Sequence, residues 1–314
     1  MSKPPPVRPS DRAQETQLLG RLREFEEEYG PLPGLVGSNR RETFVAQLIE
    51  SGRRVKYIHR LREAELQPSA LVPSSGSFDP LKGAILMHRS GDLEEAFWLV
   101  FLSVHFGKDP RVGWNLAAGF YGRLGQGGAW GWPDVLADVS TVRDWLDANS
   151  SALKGCGRFG NHRKYESLRG WTATGTGEAV ATYVAWTGGS QVERCAEVTE
   201  GLGTPQARYA ALYSSLKPVT RFGRTARFDY LTMLGKVGLL DVVPDSAYLS
   251  GATGPADGAR LLFAGRLKGG DLRPRDLAER LAPLHEQLDV TFDVLEDAIC
   301  NWQKSPSRFV PFRG

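Results

Sequence analysis

The sequence predicts a mostly α-helical fold. Segment after segment places apolar residues three and four apart, the spacing of one helical face, while no segment sustains the strict alternation of a half-buried strand. One stretch, LEEAFWLVFLSVHF at Leu93–Phe106, is apolar nearly all round after its first turn, as a helix at the centre of a domain must be. With 314 residues the chain has enough apolar content for one large domain over 16–314, or for two packed lobes at 16–150 and 151–314.

Composition narrows the class. The net charge of +3 permits nucleic-acid binding, for which a local basic patch matters more than the total. Three cysteines, Cys156, Cys195 and Cys300, stand far apart without a CxxC pair, so neither a zinc site nor a disulfide framework is indicated. No apolar run approaches the roughly 18 residues of a membrane span. The start, MSKPPPVRPSDR, lacks the apolar core of a signal peptide and reads as a disordered tail over 1–15. A cytoplasmic protein is expected.

In chain order, Leu18, Leu22 and Phe25 give Asp11–Tyr29 a helical stripe with charge opposite. LPGLVG at 32–37 invites comparison with an LPGVG hairpin, but its glycine spacing is one residue too long, and Arg40–Arg53 reads as a plain amphipathic helix. Arg53, Arg54, Lys56, His59, Arg60 and Arg62 form the densest basic cluster, with Tyr57 inside it. Such a cluster is either a solvated helix face or a stripe that tracks phosphates. Gln67–Asp79 is a Pro/Ser/Gly-rich connector. The buried helix ends in His105, Phe106, Gly107 and Lys108, where a histidine is either a satisfied core group or a catalyst. Trp114, Phe120, Tyr121, Trp130, Trp132 and Trp145 follow, a largely core set from which an exposed ring would be free to stack on a base.

Phe159–Leu168 (FGNHRKYESL) approaches through glycines and leads into a predicted helix carrying His162, Arg163 and Lys164. Glycine backbone followed by basic side chains suits a phosphate; a capped helix with surface charge is the plainer reading. Thr172–Gly203 reads as helix, glycine break, helix, and Ala207–Leu216 as another helix. In RFGRTARFDYLTMLGKVGLL, Gly223 hands over to a helix reaching about Val237, closed near Gly235 and Gly238. Arg221, Arg224 and Arg227 fall near one side of its start, beside the carboxylate of Asp229, as a phosphate grip or as a solvated face. Thr225, Asp229, Thr232 and Lys236 share a polar side of that helix. GATGPADGA at 251–259 reads as a glycine-rich turn, with Gly254 able to bring backbone amides to an anion. A last long helix is expected over Ala282–Gln303, with Leu284, Leu288, Phe292, Leu295, Ile299 and Trp302 as its core stripe. Glu296 stands at the apolar border, where a carboxylate's pKa can rise, and Asp293, Asp297, Asn301 and Lys304 make a polar row.

Taken together, FDPLKGAILMHRSGDLEEAFWLVFLSVHFGK, FGNHRKYESL, RFGRTARFDYLTMLGKVGL, SGATGPADGARLLF and LEDAICNWQKSPSRFVPFRG resemble the alpha-glutamyl/putrescinyl thymine pyrophosphorylase family, in its third clade. The resemblance runs from about Leu32 to the C-terminus. Segments of the sister clades correspond to Phe222–Tyr230, Gly251–Ala259 and Ile299–Lys304, and Asn301 stands where their relatives carry a glutamate. The resemblance implies an all-α fold of the helix-hairpin-helix DNA glycosylase type, acting on hypermodified bases of phage DNA. Two activities attach to the family: excision of a modified base, and displacement of pyrophosphate from activated 5-hydroxymethyluracil by an amine.

For a glycosylase, the expected catalytic residues are Asp229 or Glu296, acting at C1′ of an extruded nucleotide, with Lys304 holding a carboxylate or phosphate. Asn161, His162, Arg163, Lys164, Tyr165, Arg221, Arg224, Arg227 and Gly254 would grip DNA, and Trp98, His105, Phe106 and Lys108 would form the base pocket. No cofactor or metal is expected, since glycosidic hydrolysis requires neither, and Lys236 and Lys304 do not stand out as amine nucleophiles. The expected partner is double-stranded DNA carrying modified bases, such as a phage genome, with no membrane and no obligate protein partner. The amine transferase is the alternative reading, and a DNA-binding protein without chemistry the third.

Overall fold

Leu93–Phe106 is a helix with the bounds its composition dictates. Asp92 caps it, accepting from the Glu95 amide at 3.1 Å, and every residue from Glu95 onward is buried. The computed structural model describes residues 7–269 and 271–311, with the side chain of Asn161 outside the described set. Fourteen α-helices form among the described residues, with no strand beyond two isolated bridges at Asp109–Gly113 and Ser167–Gly175. The protein is all-α.

The chain divides into two compact units. One is built from both ends: the chain up to Tyr57 and the chain from Pro244 onward. The other is the continuous stretch Ile58–Val243. Residue 150, where the sequence suggests a division, lies inside a helix, Val139–Cys156.

The two-ended unit opens with α1 (Arg12–Tyr29) and α2 (Arg40–Glu63), the latter belonging to it through Tyr57. The continuous unit holds α3 (Pro80–Ser90), α4 (Leu93–Phe106), α5 (Asn115–Tyr121), α6 (Trp132–Ala137) and α7 (Val139–Cys156). It goes on through α8 (Thr176–Thr187), α9 (Gln191–Thr199), α10 (Pro205–Ser215) and α11 (Arg224–Val237). The chain then returns to the first unit as α12 (Thr253–Ala264), α13 (Pro274–Leu288) and α14 (Phe292–Trp302).

In the two-ended unit, Leu18, Leu22 and Phe25 of α1 are buried as their spacing predicts, and leucines of α13 and α14 complete the core. Of the tail expected over 1–15, the chain is already helical from Pro9, Asp11 pairs with Arg53, and residues 1–6 lie outside the described set. The long helix expected over Ala282–Gln303 is two helices. Asp289 takes φ 54°, closing α13, and Thr291 starts α14. The expected core stripe is buried nonetheless, with Leu284 and Leu288 on the first helix and Phe292, Leu295, Ile299 and Trp302 on the second.

The GATGPADGA run is a turn only at Gly251; from Thr253 it is the start of α12. The two glycines within the helix serve packing: a Cβ on Gly254 would lie 2.8 Å from the Cys300 sulfur, and one on Gly258 would lie 2.3 Å from the Ile299 carbonyl oxygen. Only glycine lets α12 come this close to α14. In the continuous unit, α4 is surrounded by aromatic rings, with Phe101 4.1 Å from Tyr183 and 5.2 Å from Phe222 between ring centres. No helix among the described residues is long and apolar enough to cross a membrane.

Candidate active site on the continuous unit

Three stretches separated in sequence converge at the C-terminal end of α4. The loop after α7 is stitched to that end by the Gly160 amide, which donates to the Phe106 carbonyl at 2.8 Å. A Cβ on Gly160 would stand 2.8 Å from both the Gly107 carbonyl carbon and the Lys108 nitrogen, so the contact admits only glycine. Beyond it the chain makes a single short turn, Asn161–Arg163, instead of the helix expected there. That turn sends neighbouring basic residues in opposite directions: His162 and Lys164 face solvent, while Arg163 turns inward and is only 6% exposed.

Arg163 is fixed by its Nε, which donates to the Val104 carbonyl at 2.8 Å. Its Nη2 is buried, makes no hydrogen bond, and lies 3.7 Å from Oδ2 of Asp229. Burial pulls the guanidinium's pKa down, and the carboxylates of Asp229 and Glu166 counter it. Asp229, in the second turn of α11, is 44% exposed at its side chain. The polar helix side that carries it is therefore only partly a solvent face: it presents the carboxylate to solvent with a buried cation behind it.

The start of α11 is locked to the same loop. Arg221 adopts φ 64°, a left-handed backbone uncommon for a non-glycine residue, and is held there by two hydrogen bonds to Glu166, at 2.6 and 3.2 Å. His105 lies beneath, 2% exposed, with Nε2 3.0 Å from the Thr176 hydroxyl. That hydroxyl gives its one proton to the Ser167 carbonyl at 2.8 Å, so His105 must be the donor, protonated on Nε2. Burial, with Arg163 and Arg221 adding to it, lowers the histidine's pKa to about 3.

Around this centre the surface is basic. Lys108, Arg111, Arg158, His162 and Lys164 are exposed on the two joined loops. The nearby Asp109 is buried, its carboxylate taken by the amides of Arg111 at 2.7 Å and Val112 at 3.2 Å, which help hold its pKa low. Tyr165 is 81% exposed, with the Lys164 ammonium 5.0 Å from its ring centre.

Several sequence expectations are corrected. Trp98 and Phe106 are fully buried, Trp98 donating to the Trp130 carbonyl at 2.7 Å, so the aromatic core leaves neither a ring face for a base. With His105 also enclosed, only Lys108 of the expected base pocket reaches the surface. The three arginines of the RFGRTAR stretch part company. Arg221 goes to Glu166, Arg224 lies over Phe228 at 4.6 Å, and Arg227 lies over Tyr213 at 4.2 Å and donates to its carbonyl. Gly254 belongs to the α12–α14 packing described above.

Glu296 and Lys304 belong to the two-ended unit. Glu296 is half-buried on α14. Lys304 is exposed and donates to Asn301 at 3.0 Å, and Asn301 donates to Asp297 at 2.9 Å. Asp297 in turn accepts from Ser51 at 2.5 Å and from Arg54 of α2. The predicted polar row thus ties α14 to α2.

Sequence reasoning passed over Glu166, whose pairing with Arg221 depends on the fold, and Arg111 and Arg158, single cations outside any cluster. It also passed over Glu95, placed in an N-terminal turn where exposure is the rule. Glu95 is buried, accepts from the Trp132 amide at 2.6 Å and the Tyr121 hydroxyl at 2.8 Å, and has its pKa raised by burial. Those partners make it a structural tie between α4 and the α5–α6 region.

A cavity of about 620 Å³ opens elsewhere on the continuous unit, among Trp186, Arg194, Glu197 and Ser215, and shares no residue with this centre. No group of three or more His, Cys, Asp or Glu side chains able to hold a metal ion occurs among the described residues.

No curated protein and no solved structure matches the chain. The model of one family does, over residues 39–314: alpha-glutamyl/putrescinyl thymine pyrophosphorylase clade 3. The match takes in both units, the Arg163–Asp229 centre and the α14 polar row, and the chain belongs to that family.

Proposed function

We propose that the protein is a DNA glycosylase acting on a hypermodified pyrimidine, a modified thymine above all, in double-stranded DNA. The observation that carries this reading is the half-exposed Asp229 carboxylate, backed by the buried Arg163 guanidinium, with exposed basic residues on the adjoining loops. A base outside the stack brings its C1′ to such a carboxylate, and the cations hold the flanking phosphates. The C1′–N1 bond breaks with its electron pair leaving on the base, which then takes a proton from solvent. Asp229 stabilises the positive charge that develops at the sugar. Water adds to C1′ and gives its proton to Asp229, which returns it to solvent. Arg163 keeps the carboxylate oriented through this cycle. The product is an abasic site, left without strand cleavage, and the biological setting is defence against phages with modified genomes.

The family description supports a second reading, also on DNA: displacement of pyrophosphate from an activated 5-hydroxymethyluracil by an amine. The two differ in which bond breaks, at the sugar or at the base's exocyclic carbon.

Asp229→Asn and Glu296→Gln, assayed beside the native protein on modified DNA followed by alkali, separate the candidate carboxylates. Loss of alkali-labile sites by about 10³-fold in Asp229→Asn, with Glu296→Gln retaining activity, is expected for a charge acting directly in the transition state. Full activity in Asp229→Asn removes this carboxylate from the chemistry.

A further inference from the structure

The connection from α7 to α8, residues 157–175, carries two exposed aromatic rings, Tyr165 at 81% and Trp171 at 50%. Each has a cation on one face: the Lys164 ammonium lies 5.0 Å from the tyrosine centre, and the Arg143 guanidinium lies 4.1 Å from the tryptophan centre. The tryptophan is set further by its Nε1, which donates to Asp144 at 2.7 Å.

The backbone beneath the rings is tied down. Arg163 and Glu166, on either side of Tyr165, are held by Val104 and Arg221. Next to Trp171, the Gly170 amide donates to Asp147 at 2.7 Å and the Gly170 carbonyl accepts from Arg143 at 2.9 Å. Thr176 closes the far end through its amide, which donates to the Ser167 carbonyl at 2.7 Å. Rings presented to water on a pinned backbone lose little freedom on binding. Exposed Arg158, His162, Lys164 and Arg169 interleave with them, and the connection's one carboxylate, Glu166, is spent on Arg221.

We infer that residues 157–175 form a stacking platform for unpaired nucleic acid, with Tyr165 and Trp171 each taking the face of a base and the interleaved cations following its phosphates. Aromatic faces in a basic groove are how proteins hold single strands without reading sequence, and a duplex keeps its base faces inside its own stack. The inference rests on the proposed reading only in taking DNA as the ligand, and it predicts binding that requires neither a modified base nor Asp229.

The test is fluorescence anisotropy of the full chain with an unmodified single-stranded oligonucleotide and with the matching duplex. The single strand is expected to bind more tightly. Trp171→Ala and Tyr165→Ala are each expected to weaken it by roughly 5- to 150-fold, the range one stacked base supplies. Trp171→Phe and Tyr165→Phe should keep most of the affinity. Circular dichroism melting confirms that each variant is folded. Alanine variants that bind within twofold of the native protein overturn the platform, as does a loss shared equally by the phenylalanine variants. Retained stacking with no base excision would leave the platform standing and remove the glycosylase.

Discussion

Arg163 shows how differently a charge behaves once the fold has chosen its direction. In the sequence it is the middle of three consecutive basic residues and reads as one solvated cation among several. In the structure its neighbours face water while it points inward to Asp229. The sequence draws attention to Asp229 through the arginines that precede it, but not to its partner, because a local pattern does not reveal which basic residue in a run is buried. His105 was legible as a choice between core and catalyst, and burial decides for the core. Its consequence is measurable. A histidine whose pKa is about 3 in the fold and near 6.5 unfolded contributes stability fully present above pH 6.5. That stability is lost progressively as pH falls from about 6.5 towards 3, where the unfolded chain binds a proton that the folded chain excludes. Arg163 and Arg221, the charges facing it, stay protonated throughout and keep it neutral. The melting temperature of the native protein should therefore fall between pH 7 and pH 4 more steeply than that of His105→Gln. Parallel curves for the two would show that His105 titrates normally in the fold.

At the scale of elements, α4 was readable to the residue because a helix apolar on all sides has one place to go. The break at Asp289 was not readable. The apolar spacing from Leu284 through Leu288, Phe292, Leu295 and Ile299 runs across it without a step, and the left-handed residue is an aspartate, not a glycine. The GATGPADGA run misled for the opposite reason. Its small residues look like a turn, but two helices in close contact select small residues as well, and only the opposite helix distinguishes the cases. That reading makes a definite prediction at Gly258, where a Cβ would meet the Ile299 carbonyl oxygen at 2.3 Å. Gly258→Val forces α12 off α14 and should destabilise the two-ended unit by roughly 1–3 kcal/mol, the cost of overpacking a filled contact. Urea unfolding measures it. A valine variant as stable as the native chain would mean that the helices do not pack this closely in solution.

At the scale of the whole molecule, the all-α class and the family were both legible from 314 residues, the first from spacing and the second from the order of motifs. The division into units was not, because one unit is assembled from the two ends of the chain, and nothing local marks segments so distant as partners. The net charge of +3 also conceals its distribution, since one group of exposed cations gathers on the loops joined at Gly107 and Gly160, where the acidic residue Asp109 is turned inward. On the proposed function, DNA lies on this surface and Asp229 acts on it. The most direct measurement is mass spectrometry of what the purified protein releases from DNA carrying unmodified, hydroxymethylated, glucosylated or amine-decorated pyrimidines. Release of one free modified base, with an abasic site left in the strand and the reaction lost in Asp229→Asn, is the predicted result. Pyrophosphate released from an activated hydroxymethyluracil DNA in the presence of putrescine or glutamate, with every glycosidic bond intact, would contradict it.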